Sequence, residues 1–240
     1  MFRFVTADTP ELLREVHRIR YQVYCIENEF EDPRNNPEGF ERDEFDEHSV
    51  HALLVHCASQ APVGTVRLVL HKPGAGGGSL PFHRVCRQAE AHRADLLPYQ
   101  TTAEFSRFAI SKRCRHAAAQ KAGGGPREFG DEERSTIPHV TIGLISAALR
   151  LCFTNGVTHV CAVMEPTLLR LLSRFGIRFQ PLGPRVDYHG WRQPCFATLS
   201  GLMDGIERER RDVWDLVTDC GQLWPQMLGT PDRVSEPMIA

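Results

Sequence analysis

The run Glu104-Phe105-Ser106-Arg107-Phe108-Ala109-Ile110 sets an acid and a base three residues apart in a stretch otherwise suited to a buried strand. A carboxylate at the mouth of such a strand can take a proton from an attacking amine, directly or through water. Side chains three apart on a regular strand point to opposite faces. Glu104 and Arg107 can therefore serve one site only if the strand bulges between them, and bulges gather near active sites. Taken alone, the four letters favour a structural ion pair at a strand end. Further charged and aromatic residues lie upstream: Arg20 and Tyr24 four apart on one helix strip, where an arginine alone reads as a solvated edge residue, then Phe30, Asp43 and Asp46 three apart, and Arg67 inside an apolar run. An arginine within such a strand must reach water, an acid or a ligand. Arg20, Arg67 and Arg107 against Asp43, Asp46 and Glu104 make a balanced set, which we expect to tie the 30–46 segment over a cleft.

The elements that must position these side chains are readable in order. Phe2 to Ala7 alternates as a first strand. Thr9 caps a helix with Pro10 at its first position, and Leu12, Leu13, Val16, Ile19, Val23 and Ile26 mark its buried face. The turn-formers from Phe30 to Gly39 exclude regular structure, and the acidic run to His48 reads as a loop. Asp43, Asp46, His48 and His51 match no known metal-ligand spacing, and no metal site is assigned. His51–His56 and Val63–Leu70 form an antiparallel hairpin across Ser59-Gln60-Ala61-Pro62. Gly74–Ser79 is a glycine-rich tip, and Leu80–Leu97 is helical in part. After the central strand, 116–135 reads as a mobile insertion. Pro138 then starts a helix running to Phe153 and ended by Asn155-Gly156. A strand at Val157–Met164, a helix at Pro166–Phe175, a strand at Ile177–Leu182, a loop at 183–191 and a strand near Pro194–Leu199 follow. Residues 1–200 form the predicted domain; 201–240 add one charged helix, Ile206–Val217, and a loose tail.

The bulk numbers bound the class. The chain has 240 residues, 24% charged and 42% hydrophobic, which suits one well-buried α/β domain. A net charge of −2 gives no support to nucleic-acid binding. Eight cysteines occur without a Cys-x-x-Cys pair, so they read as reduced thiols of a cytoplasmic protein. No secretion signal is visible, and Val140–Leu151 is too short and mixed to span a bilayer.

The element order is that of the GNAT acyltransferase fold: a mixed, mostly antiparallel sheet with a bulged central strand, flanked by helices. The series Arg20, Tyr24, Phe30, Asp43, Asp46, Arg67, Glu104, Arg107 resembles the signature of acyl-homoserine lactone autoinducer synthases, with all eight positions in order. Tyr24 replaces the usual phenylalanine, Phe30 stands where those synthases carry tryptophan, and the 116–135 insertion is unlike them. These departures resemble the wider N-acyl amino acid synthase group, and within it the acyltransferases associated with the PEP-CTERM/exosortase system.

The resemblance implies transfer of a fatty acyl group from acyl carrier protein or acyl-CoA to the amine of an amino acid or related small acceptor, with no bound cofactor. Glu104 would be the base or orient it. Backbone N–H groups near Phe108 and Ala109 would polarise the thioester carbonyl. Arg20, Tyr24, Phe30, Asp43, Asp46 and Arg67 would line the acceptor side. Coenzyme A enzymes of this fold commonly open the next helix with Arg/Gln-x-x-Gly-x-Gly/Ala around the pyrophosphate. Lys112–Gln120 lacks those glycines, and Lys112, Arg113, Arg115 and Lys121 would instead dock the acidic carrier protein, or form a solvated basic loop. The apolar faces of Val140–Phe153 and Val157–Met164 would hold the acyl chain. Two other readings stay open: an acyl-homoserine lactone synthase using S-adenosylmethionine, and a non-catalytic module that binds acyl ligand or carrier protein.

Overall fold

A computed structural model describes residues 2–74, 78–87, 93–121 and 131–223, and the side chains of these except 117–121 and 131–138. In chain order, β1 (Phe2–Thr6) leads into α1 (Pro10–Tyr21), a π-helical turn (Gln22–Glu27) and two 3₁₀ turns (Pro33–Asn35, Glu44–His48). Next come β2 (Ser49–His56), β3 (Pro62–Val69), α2 (Pro81–Val85) and β4 (Thr102–Ile110), then α3 (Lys112–Lys121) and α4 (Asp131–Thr154). The last third holds β5 (His159–Met164), α5 (Pro166–Ser173), β6 (Gln180–Pro181), β7 (Val186–Asp187), β8 (Trp191–Thr198), α6 (Leu199–Glu209) and α7 (Arg211–Thr218).

The strands form one sheet in the order β1-β2-β3-β4-β5-β8-β6, with β7 paired to β8. Among the described strands only β4 and β5 run parallel. Alternation along β2 sorts the layers: Ala52 and Leu54 pack in the cluster of α4, while Leu53 and Val55 pack with Val16 and Ile19 of α1. The central strand therefore lies buried between two helices, where a charge needs a partner.

Two local features aim the site. Opposite β3, Thr65 faces Ala109 and Arg67 faces Ser106, so Arg107 and Phe108 oppose the single residue Val66. The extra residue sits at Arg107 and Phe108, beyond the interval between Glu104 and Arg107 where the sequence places it. Arg107 takes a left-handed φ of +46°. On the far side, β4 pairs with β5 only from Thr102↔His159 to Glu104↔Cys161, and past that point the two strands diverge into a wedge.

Several boundaries differ from the sequence reading. Past Tyr21 the first helix widens into the π turn, which rotates Ile26 out to solvent at 47% exposure instead of continuing the buried face. Pro138 lies inside α4, which begins at Asp131, and α3 reaches Lys121. Helix thus replaces much of the expected 116–135 loop; 122–130 lie outside the described residues. The expected Ile177–Leu182 strand shrinks to Gln180–Pro181, and the expected 183–191 loop contains β7. The single C-terminal helix is two, broken at Arg210 (φ −145°, ψ 73°). Both pack into the main core through Leu202, Met203, Ile206, Val213 and Val217. Gly205 permits this approach, since a Cβ there would lie 2.5 Å from the Gly176 carbonyl oxygen. The expected tail beyond 223 is outside the described residues.

Candidate active site

The three arginines converge, as do the two aspartates. Arg20, fully buried on α1, donates from Nε to Glu41 at 2.5 Å and from Nη1 to Asp46 at 2.6 Å. Arg67, buried on β3, donates from Nη1 to Asp43 at 2.6 Å and Asp46 at 2.8 Å, and from Nε to Ser106 Oγ at 2.9 Å. Arg107 donates to Glu41 at 2.9 Å and Asp43 at 3.2 Å, and its guanidinium lies 5.0 Å from the Tyr24 ring centroid. Asp43 and Asp46 also explain their own spacing. Asp43 accepts from the Phe45 N–H and Asp46 from the Asp43 N–H, both at 2.9 Å, a capping box for the 3₁₀ turn. The 41–46 segment is thereby fastened across α1, β3 and β4.

The third acid of this ring is Glu41, not Glu104 as the charge count suggests. Glu41 is buried and anchored to α1 by its N–H on the His17 carbonyl at 3.2 Å. Burial alone would raise its pKa, but Arg20 and Arg107 overcome that and hold it down at about 2. Asp46 is pulled below the usual carboxylate range in the same way, its burial outweighed by Arg20 and Arg67. His17 and His51, edge to face at 6.0 Å, are kept neutral by burial and by Arg20, at about 4 and about 3. The ring therefore sets three arginines against three carboxylates, with Glu41 and Asp46 held ionised and both histidines held neutral at neutral pH.

Glu104 stands apart from it. Among the described residues no arginine lies within ion-pair reach of its carboxylate. Oε2 instead accepts from the Phe82 N–H, at the start of α2, at 2.6 Å. Burial raises its pKa to about 7, against smaller downward pulls from that N–H, Arg67 and Arg107. A buried carboxylate with pKa near neutrality, one oxygen tethered, is suited to taking and returning a proton.

Glu104, Arg67 and Arg107 all face one cavity of about 340 Å³. Its apolar end lies in the wedge between β4 and β5, lined by Phe105, Phe108, Ile110, Ile145, Val163 and Met164. Its polar end carries Tyr24 and Phe30 with Tyr188, His189 and Arg192. The unpaired bulge falls at Arg107 and Phe108, and Phe108 lines the cavity, whereas Ala109 resumes register with Thr65 and packs against α1. Asp43, Asp46 and Arg20 form the ring behind the wall and are not themselves lining residues.

Lys112 and Arg113 are exposed and Arg115 half-buried on α3; the Lys121 side chain lies outside the described residues. The N-terminus of α3 is already occupied by a carboxylate of this chain. Glu27 accepts from Ser111 Oγ at 2.7 Å, the Lys112 N–H at 3.0 Å and the Arg113 N–H at 3.2 Å.

Sequence reasoning missed Glu41, Glu27, Arg192 and the Tyr188–His189 pair. Glu41 is hidden in the charged run Phe40–His48, where nothing in the spacing separates it from exposed Arg42 and Glu44. Arg192 carried a signal: it interrupts the approach to an apolar strand, as Arg67 does.

Residues 19–122 match the family model described as an acetyltransferase (GNAT) domain. No curated protein matches the chain in sequence. Among solved structures, the AHL synthase LasI is 17% identical with a TM-score of 0.58, covering 87% of this chain and 95% of that one. BjaI, described as a CoA-dependent acyl-homoserine lactone synthase with SAM and isopentyl-CoA, is 21% identical with a TM-score of 0.54, covering 91% and 88%. FeeM, an N-acyl amino acid synthase from uncultured soil microbes, is 16% identical with a TM-score of 0.55, covering 85% and 94%. The likeness at these identities is one of fold: a GNAT-like sheet and helices in the arrangement of the autoinducer synthases. Among the described residues no helix is long and apolar enough to cross a membrane.

Proposed function

We propose that this chain is an N-acyltransferase that moves a fatty acyl group from a thioester to the amine of an amino acid or related small acceptor. The observation that carries the reading is the placement of Glu104: a buried carboxylate titrating near neutrality, with no arginine among the described residues paired to it, at the junction of a polar pocket and an apolar wedge. The acceptor enters at the Tyr24–Phe30 end as a neutral amine, and its nitrogen attacks the thioester carbonyl. A C–N bond forms as the C–S bond breaks, Glu104 takes the amine proton, and the thiol leaves with that proton returned. The strand bulge at Arg107 and Phe108 supplies N–H groups released from the β3 ladder to the developing oxyanion. Ile145, Val163 and Met164 hold the start of the acyl chain.

The donor is acyl carrier protein in this proposal. Glu27 fills the α3 N-terminus that a pyrophosphate would otherwise occupy, and exposed Lys112 and Arg113 with Arg115 and Lys121 suit an acidic carrier. Cytoplasmic location belongs to the proposal through the cysteine pattern, and association with a PEP-CTERM/exosortase system through the sequence resemblance alone. The test is release of free thiol from dodecanoyl–carrier protein or dodecanoyl-CoA in the presence of amino acids. Turnover is expected with the carrier thioester and strongly reduced in Glu104→Gln. No thiol release with any donor and acceptor, or full turnover in Glu104→Gln, overturns it. A lactone product by mass spectrometry would favour the S-adenosylmethionine reading, which rests on the shared fold of LasI and BjaI. Tight acyl binding without turnover would favour a non-catalytic module.

A further inference from the structure

Among the described residues three arginines face the cavity, and they are not equivalent. Arg67 and Arg107 each contact two carboxylates of the buried ring. Arg192, on β8, is held differently. Its Nε donates to the Tyr188 carbonyl at 2.6 Å and its Nη2 to the His189 carbonyl at 3.2 Å, so the backbone of the β7–β8 turn fixes the plane of the guanidinium. Those carbonyls carry no net charge. Among the described residues its carboxylate partner is Glu165, at 3.2 Å, whose side chain is half exposed while that of Arg192 is 15% exposed. An ion pair with one member in water contributes little and exchanges readily. Arg192 is therefore an oriented, mostly desolvated cation at the polar end of the cavity, and its own chain neutralises it only loosely.

The walls around it suit a small anion. The guanidinium lies 5.5 Å from the Phe30 ring centroid, Phe30 is 5.3 Å from His189, and His189 is 4.5 Å from Tyr188. Burial lowers the His189 pKa, with Arg192 and Arg107 adding to that and Glu31 opposing it, so the imidazole is neutral near pH 7 and leaves the charge to Arg192. A planar guanidinium fixed at two donors presents its remaining edge to a carboxylate in the geometry that such pairs prefer.

We propose that Arg192 anchors a free carboxylate on the amine acceptor, displacing Glu165, and so restricts acceptors to amino acids. The proposal rests on the acyl-transfer reading and names the acceptor feature that reading leaves open. Arg192 is a specificity-determining residue here: it grips the acceptor's acid while the amine is presented to Glu104. A merely structural role, bracing the turn at 188–190, would weaken every acceptor alike.

The experiment uses the full chain and has two arms. The first measures transfer from dodecanoyl–carrier protein to the twenty common amino acids, each offered as free acid and as primary amide. The second, independent of turnover, measures binding of N-dodecanoylglycine and N-dodecanoylglycinamide by calorimetry. In the wild type the acid form is expected to bind roughly tenfold or more tightly than the amide, the range of one charge-assisted contact. Arg192→Gln removes the preference and leaves the amide's affinity within twofold, Arg192→Lys keeps part of it, and Glu165→Gln tightens the acid severalfold. Equal binding of acid and amide by the wild type, a preference that survives Arg192→Gln, or an equal loss for both ligands overturns the proposal. No thiol release, with acid binding still dependent on Arg192, would sink the transferase reading and leave the carboxylate site standing. Transfer to acids and amides alike, with equal binding, would do the reverse.

Discussion

Two buried glutamates, Glu41 and Glu104, ionise in opposite ways. Glu41 is 2% exposed and Glu104 is 4% exposed, so the two are desolvated alike. Glu41 meets two guanidinium groups at hydrogen-bond distance and stays ionised down to about pH 2. Glu104 meets one backbone N–H, with Arg67 and Arg107 farther off, and titrates at about 7. Burial sets the size of the problem for both carboxylates, and the partner decides its sign. The ring region is thus a fixed scaffold, while the neighbouring carboxylate remains free to exchange a proton.

The largest break in that contrast is Glu41→Gln. It leaves Arg20 and Arg107 short of a carboxylate in a desolvated site, and we expect a loss of about 3–5 kcal/mol in urea unfolding. An unfolding midpoint close to wild type would show that the ring tolerates a missing charge. Glu104→Gln should reverse the pattern: acyl transfer falls by about 10²–10⁴-fold while stability at pH 8 is unchanged or higher. A large loss of stability there would make Glu104 part of the scaffold instead.

The pH dependence sharpens the comparison. The folded pKa of Glu104 lies above its ordinary 4.5, so its contribution is fully present below pH 4.5 and is lost as pH rises through about 7. For Glu41 the folded pKa lies below 4.5, so its contribution is present above pH 4.5 and is lost as pH falls through about 2. Between pH 4.5 and 7, wild type should lose stability relative to Glu104→Gln, read from paired denaturation curves. Transfer activity should rise with pH through a limb near 7, and that limb should vanish in the variant. The smallest effect belongs to Glu44, three residues from Glu41 but exposed and paired with exposed Arg84. Glu44→Ala should stay within about 0.5 kcal/mol of wild type by the same unfolding measurement.

Much of this molecule was legible in residue order because its main elements obey simple periodicities. The helix at 10–21, the hairpin at 49–69 and the strand at 102–110 follow from capping, alternation and turn chemistry. Convergence of Arg20, Arg67, Arg107, Asp43 and Asp46 was expected from the resemblance to the synthase signature and the balance of their charges, since Arg20 alone reads as an edge residue and the acidic run as a loop. Which acid closes the ring was not. Glu41 and Glu44 are the same residue type in the same loop, and only the approach of α1 and β4 buries one of them. The π turn escaped notice because Val23 and Ile26 keep an apolar helical spacing that the backbone does not follow. Pro138 suggested a helix start because its local preference is strong, yet the chain continues helical through it.

Arg107 occupies a backbone conformation that glycine adopts at least cost. Substituting glycine there would relax the main chain but also erase the guanidinium that joins Glu41 to Asp43. Selection for ruggedness and selection for activity therefore pull position 107 toward different residues. Attempts to make this protein hardier by repairing unfavourable torsions should leave that one uncorrected.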